Sequence, residues 1–230
     1  GARRAARALV KWWSLVVLIA ASGCVKQVSG ANVSAAENPI VQVGDPVLRN
    51  RARDVTPEEI ATPEFQALVQ RMVEAMRKAP GVGLAAPQLG VDKRVLVLED
   101  REELMATLTT LEKSERERVP VPVRTFINPT LTPIGEERVT FFEGCLSVAG
   151  FAGLVERWRE VEVSGLDEKG QAVTWRVRGW PARILQHEVD HLNGTLYVDR
   201  MLTRSFGTLP QVKARFGGKP IAQVRQELGL

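Results

Sequence analysis

Cysteine and histidine are scarce in this sequence, with two of each in 230 residues: Cys24 and Cys145, His187 and His191. So few cysteines exclude a disulfide-built scaffold. A bridge between the two is not expected either, because each sits in a local pattern that explains it without the other. The chain also lacks a dense basic stripe interleaved with aromatics, which argues against a direct nucleic-acid partner. Its net charge is only +4, and much of the positive charge lies near the start (Arg3, Arg4, Arg7, Lys11) and in the tail. No internal repeat is present. The apolar stretch Trp12 to Ala21 is too short for a comfortable membrane-spanning helix. What remains is ordinary: a hydrophobic fraction of 44% and a charged fraction of 25% suit one globular catalytic domain with short extras at either end.

Residues 1–24 read as an export signal. A positive start precedes the apolar stretch, and Ala21-Ser22-Gly23-Cys24 resembles a bacterial lipobox, in which the cysteine is lipidated. A larger aliphatic residue is usual where Ala21 stands. A buried or interfacial helix and a mis-assigned start are the competing readings. Residues 25–38 have the polar composition of a flexible linker. The domain reading is therefore signal and linker over 1–38, catalytic domain over 39–205, and a tail over 206–230 with a short helix at Ile221 to Leu228.

Within the catalytic region, Ile40 to Val43 reads as a strand closed by the turn Gly44-Asp45-Pro46. Thr62-Pro63-Glu64 starts a helix whose apolar face is Phe65, Leu68, Val69, Met72, Val73 and Met76 at helical spacing, and Pro80-Gly81 ends it. Arg94 to Leu98, Val123 to Asn128 and Arg138 to Phe142 are strands. Residues 101–118 are charged and helix-prone, and read as a surface insertion. Val155 to Val163 and Ala172 to Val177 read as the arms of a β-hairpin around Gly165 to Gly170. Trp180-Pro181 opens a helix that Asn193-Gly194 stops after Leu192. Short, mostly antiparallel strands with a helix near each end predict an α+β fold, antiparallel sheets packed around a central helix.

That helix carries His187-Glu188-Val189-Asp190-His191. Histidines at i and i+4 share one helix face and can reach one ion, while Glu188 sits off that axis and can reach a metal-held water without being a ligand. Two surface histidines on an amphipathic helix are the bland alternative. A catalytic site of this kind uses three protein ligands and one open position. No histidine follows His191, and the only acid between Leu192 and Gln226 is Asp199, too near for the usual downstream ligand. Cys145, in Glu143-Gly144-Cys145-Leu146-Ser147, is the natural third candidate, since a thiolate suits a borderline or soft divalent ion. Gly81-Val82-Gly83-Leu84-Ala85-Ala86-Pro87-Gln88 is a third segment. Its small residues allow close backbone approach, and Gln88 offers an amide donor. No Lys-Ser/Thr pair follows, so it is not a phosphate loop.

Taken together, Gly81 to Gln88, Glu143 to Ser147 and Gln186 to Leu192 resemble the three motifs of the peptide deformylases, in family order, over roughly residues 40–205. The runs Val148 to Glu156 and Gly179-Trp180 with Ala182-Arg183-Ile184 look most like the organellar-type (type 1) branch. The resemblance implies an amide hydrolase that removes the formyl group from N-terminal formylmethionine. It implies one divalent metal on Cys145, His187 and His191, with Fe2+ native and Zn2+ or Ni2+ able to substitute. Glu188 would move protons, and the Gln88 side chain and Leu146 N–H would stabilise the oxyanion. The peptide would lie extended beside Gly83 and Gly144, its methionine in a pocket lined by Val82, Ile184 and His187.

Two residues depart from the family pattern. Ala152 stands where many members have arginine and Ala149 where many have proline, which bears on substrate preference rather than on the metal ligands. The implied partners are N-formylated nascent peptides, with ribosome association left open and membrane contact confined to residues 1–24. The implied location is cytoplasmic, or an exported lipoprotein if the Cys24 lipobox is real. The rival readings are a metallopeptidase cutting internal bonds and an envelope-tethered metal- or peptide-binding homologue with weak amidase activity.

Overall fold

The computed structural model describes residues 40–230; the segments read as export signal and linker, with Cys24, lie outside them. In chain order the helices and strands are α1 (Pro57–Ile60), α2 (Pro63–Lys78), β1 (Gly83–Ala85), β2 (Val95–Asp100), α3 (Thr110–Glu115), β3 (Val121–Pro133), β4 (Arg138–Cys145), β5 (Val148–Trp158), β6 (Glu160–Leu166), β7 (Ala172–Arg178), α4 (Trp180–Leu192), β8 (Gly207–Thr208), α5 (Leu209–Phe216) and α6 (Ile221–Leu228). All strand pairs are antiparallel. One sheet runs β1-β2-β3-β6-β7 and the other β4-β5-β8. The fold is α+β, as the sequence predicts.

The helix α2 begins where its sequence dictates. The Thr62 hydroxyl accepts the Phe65 N–H, and Pro63 fills a first-turn position that has no intrahelical partner to lose. The predicted stripe is buried: Phe65, Leu68, Val69, Met72 and Met76, joined by Ala75. It packs on one face of the larger sheet, and α4 packs on the other. Strand β2 displays the division residue by residue. Val95 and Val97 enter the core with α2, whereas Leu96 and Leu98 enter the core with α4. A strand buried on both faces reads as an unbroken apolar run rather than an alternating one, which is why Val95-Leu96-Val97-Leu98 has no polar partner positions.

Several sequence expectations need correction. Ile40 to Val43 is not a strand; Val41 N–H bonds Gln88 O and Val43 N–H bonds Ser147 O singly, tying the segment across two other pieces without building a ladder. Strand β3 does not stop at Asn128 but runs to Pro133. Its first half pairs with β2 and its second with β6. Between them Asn128 takes φ +51 and uses both amide atoms on the Val55 backbone, so Asn128-Pro129 marks a bend, not an end. The predicted arm Val155 to Val163 is really two strands in different sheets. The chain leaves the smaller sheet at Trp158 and enters the larger one at Glu160. The hairpin proper is β6–β7, closed at Leu166↔Ala172. The charged segment 101–118 is only partly a surface feature. Helix α3 buries nothing, but Met105 is buried and Arg118 forms a two-point ion pair with the fully buried Asp100. The tail holds two helices, the predicted Ile221 to Leu228 and also α5.

The central helix α4 touches β1, β2, β3, β6 and β7 of one sheet and β5 of the other. Its C-terminal stop is enforced by shape. Gly194 has φ +74, and a Cβ there would lie 2.4 Å from the Arg49 carbonyl oxygen. Gly194→Ala therefore combines a left-handed backbone with a backbone clash. We expect it to destabilise the fold by roughly 2 kcal/mol or more and to lower Tm by at least about 4 °C. An unchanged melting curve would contradict this account of the helix end.

Candidate active site

Three segments converge where the two sheets part. Cys145 ends β4, His187 and His191 lie one turn apart on α4, and Gln88 follows β1 in a short helical turn. The ligand atoms of Cys145, His187 and His191 all lie within 4.8 Å of one another. Cys145 Sγ is 3.3 Å from His191 Nε2. The sulfur also receives the Ser147 N–H at 3.4 Å and faces the Gln88 amide nitrogen at 3.7 Å. Gln88 is itself oriented, because its Oε1 accepts the Ala85 N–H at 2.9 Å and its Nε2 donates to Ser147 Oγ at 3.2 Å.

The His187 ring is fixed from behind. Its Nδ1–H donates to Glu143 Oε2 at 2.9 Å, which leaves the Nε2 lone pair for the site. Glu143 is buried and, besides the His187 nitrogen, accepts three hydrogen bonds from two residues: Arg157 donates to both its oxygens at 2.9 Å, and Arg183 donates to Oε1 at 2.8 Å. Burial works against its charge, yet Arg157 and His187 hold its carboxyl well below the usual carboxylate range. Burial likewise pushes the Arg183 guanidinium down to about 10, still cationic at neutral pH. Arg157 continues to Asp190, which Arg200 clamps with two bonds of 2.7 and 2.8 Å.

Glu188 is the contrast. It is buried, its Oε2 has no hydrogen-bond partner among the described residues, and burial pushes its carboxyl up to about 7. Gly83 makes room for it: a Cβ there would stand 2.4 Å from Glu188 Oε1. A cleft of about 520 Å³ opens in front, lined by Gln88, Cys145, Leu146, His187 and Glu188. Val82, Gly83, Gly144 and Ile184, the residues expected to meet substrate, line the same cleft. Ala149 also lines it, whereas Ala152 is buried between β4 and β8 and does not. A polar cavity of about 600 Å³ lies behind the ionic network, lined by Arg51, Arg94, Arg157 and Arg200, and holds none of the three donors.

One thiol and two imidazoles, one of them backed by a carboxylate, form a donor set suited to a divalent transition-metal ion. A match to the polypeptide deformylase family model spans residues 37–206. The chain belongs to the peptide deformylase family. Over 167 residues it is 48% identical to "Peptide deformylase, mitochondrial" of Homo sapiens, covering 73% of this chain and 69% of that protein. It is 49% identical over 170 residues to "Peptide deformylase 1A, chloroplastic" of Solanum lycopersicum, covering 74% of this chain and 61% of that protein. The chain thus spans less than two thirds of the tomato protein's length. Among solved structures, a Met-Ala-Ser-bound class I type b peptide deformylase from Acinetobacter baumannii superposes with a TM-score of 0.64 at 33% identity, covering 71% of this chain and 98% of that one.

Sequence reading brings every candidate donor to one place but assigns nothing to Glu143, Arg157, Arg183 or Asp190. The spacing held a clue. Glu143 is two residues from Cys145 along β4, with a register shift between Gly144 and Cys145, and Arg183 precedes His187 by one helical turn. Glu143→Ala would strand two buried guanidinium groups, and we expect a loss of roughly 3–5 kcal/mol, read as a lower urea midpoint. Glu143→Gln keeps the shape but weakens the hold on His187. Its zinc affinity, measured by competition with a chromophoric chelator, should fall about 10–100-fold; unchanged affinity would count against the tautomer argument.

Proposed function

We propose that this chain is a metal-dependent amide hydrolase that removes the formyl group from formylmethionine at the N-terminus of newly made polypeptides. One observation carries the reading: a buried carboxylate, Glu188, with an unpartnered Oε2 opens on the same cleft as Cys145 and His187, two of three converging donors that His191 completes from behind, with an oriented amide, Gln88, beside them. Cys145, His187 and His191 would hold one divalent ion, Fe2+ by family habit, which supplies a Lewis acid that polarises the formyl carbonyl and acidifies a water.

The rest is the work of the chain's own residues. Glu188 takes the proton of the attacking water and returns it to the departing amine nitrogen, so one carboxyl serves as base and then as acid. Its raised carboxyl range suits both halves. The Gln88 Nε2–H2 group, pinned through its carbonyl end, and the Leu146 N–H donate to the oxygen that gains negative charge at the formyl carbon. Val82, Ile184 and His187 border the space for the first side chain. Gly83 and Gly144 allow an extended peptide backbone to approach on either side. Cutting internal peptide bonds is disfavoured because the ligand set draws on Cys145 upstream instead of a residue after His191.

The substrate arises where polypeptides are synthesised, so the reaction belongs in that compartment, and ribosome association would follow from it. No helix among the described residues is long and apolar enough to cross a membrane. Whether residues 1–24 direct export is decided by the native N-terminus, read by mass spectrometry.

The test is cleavage of formyl-Met-Ala-Ser by the full chain loaded anaerobically with Fe2+. We expect turnover that chelation removes and added Fe2+ or Zn2+ restores. Glu188→Ala should retain its metal, by elemental analysis, while kcat falls by about 10²–10⁴-fold. Near-normal turnover in that variant would remove Glu188 from its role.

A further inference from the structure

The cleft is not walled only by the elements that carry the donors. Leu209, the first residue of α5, also lines it. Its Cδ2 lies 3.9 Å from where a Cβ on Gly144 would stand, so it sits beside the backbone that flanks Cys145. Yet Leu209 is 47% exposed, and next to it Phe206 is 44% and Phe151 38% exposed. The two phenylalanine rings stack at 5.1 Å. Leu209 lines the cleft and the phenylalanine pair flanks it through the β5–β8 pairing; three large apolar side chains left in water side by side add little to folding and mark a contact surface.

The rim is held rigidly. Strand β8 pairs with β5 through Phe151↔Thr208 and Ala152↔Gly207. Just before it, Leu202 N–H bonds Leu154 O at 2.8 Å and Leu154 N–H bonds Ser205 Oγ at 2.7 Å. Behind Leu209, α5 is anchored by Phe216, which stacks on Phe142 at 5.6 Å and shares a core with Leu154 and Val224. A wall so braced meets a ligand without first being ordered. Leu209 lies just past the family match, which ends at residue 206.

We infer that Leu209, with the Phe151–Phe206 pair beside it, forms an apolar subsite that selects a large apolar side chain at the second or third residue of the formylated peptide. The inference rests on the deformylase reading. The first side chain is accommodated near Val82, Ile184 and His187. An extended peptide advances about 3.3 Å per residue with side chains on alternate sides, so the following residues pass the Gly144 edge within reach of Leu209.

The experiment compares formyl-Met-Ala-Ser, formyl-Met-Leu-Ser and formyl-Met-Ala-Leu on the full chain loaded with Fe2+. We expect kcat/KM for one leucine peptide to exceed that for formyl-Met-Ala-Ser by about fivefold, the scale of a half-desolvated leucine contact. Leu209→Ser should abolish that preference and Leu209→Met should keep it. Calorimetric binding of the corresponding deformylated peptides should rank the variants in the same order. A wild-type enzyme without the preference, or a preference that survives Leu209→Ser, overturns the subsite while leaving the deformylase reading intact. Failure of that reading looks different, since the wild type would then cleave none of the three peptides, and the subsite would fall with it.

Discussion

One buried carboxylate holds this structure to its purpose. Glu143 joins β4 to β5 through Arg157 and to α4 through Arg183 and His187. Taking several charges out of water is costly, and a well-packed apolar cluster of the same volume would serve stability as well or better. Stability is therefore a poor explanation for the network. What an apolar cluster could not do is choose a tautomer. In the neutral ring the carboxylate keeps the proton on His187 Nδ1, so that the Nε2 lone pair faces the neighbourhood of Cys145 and His191. Arg183 is spent in the same service. It also donates to the Val155 and Val139 carbonyls, which ties the helix to the two strands whose hairpin carries the sulfur.

The second buried carboxylate has the opposite surroundings. Glu188 is the next residue after His187, yet among the described residues its Oε2 has no partner where Glu143 has several. Helix geometry separates them: adjacent residues point about 100° apart, so His187 can turn toward β4 while Glu188 turns toward β1. The environments then assign the work. A carboxylate saturated by guanidinium groups stays charged and fixed, and a desolvated one with a free oxygen can take up and release a proton near neutral pH. The absence of a side chain at Gly83 is part of that assignment, since any Cβ there would meet the Glu188 carboxyl.

How much of this was legible in the sequence depends on how local each signal is. The caps and apolar stripe of α2, the span of α4 and the meeting of Cys145 with the two histidines follow from short spacings and ligand chemistry, and all were readable. The bend in β3 was not. Asn128-Pro129 reads as a terminus, because the reason the strand continues is the Val55 backbone, which is remote in sequence. The crossing at Arg159 was hidden for a related cause: Val155 to Val163 alternates as one strand would, and only the pairing partners reveal two sheets. The ionic network was missed because arginines on strands and helices usually signify solvent, and burial is a property of the assembled fold.

The site's position follows from the same crossing. β1 belongs to one sheet, β4 and β5 to the other, and α4 spans both. At the seam between sheets backbone edges are left without a neighbouring strand, and here that edge is bordered by Gly83 and Gly144, residues with no side chain to cover it. An extended peptide is the ligand whose hydrogen-bonding pattern such an opening matches. The tail then acts on what the seam leaves open. By adding β8 to the outer edge of β5 it closes the far side of the smaller sheet, and α5 begins where that strand ends. Leu209 is thereby delivered to the cleft by sheet pairing rather than by a free loop, and the tail gains a say in what the cleft accepts.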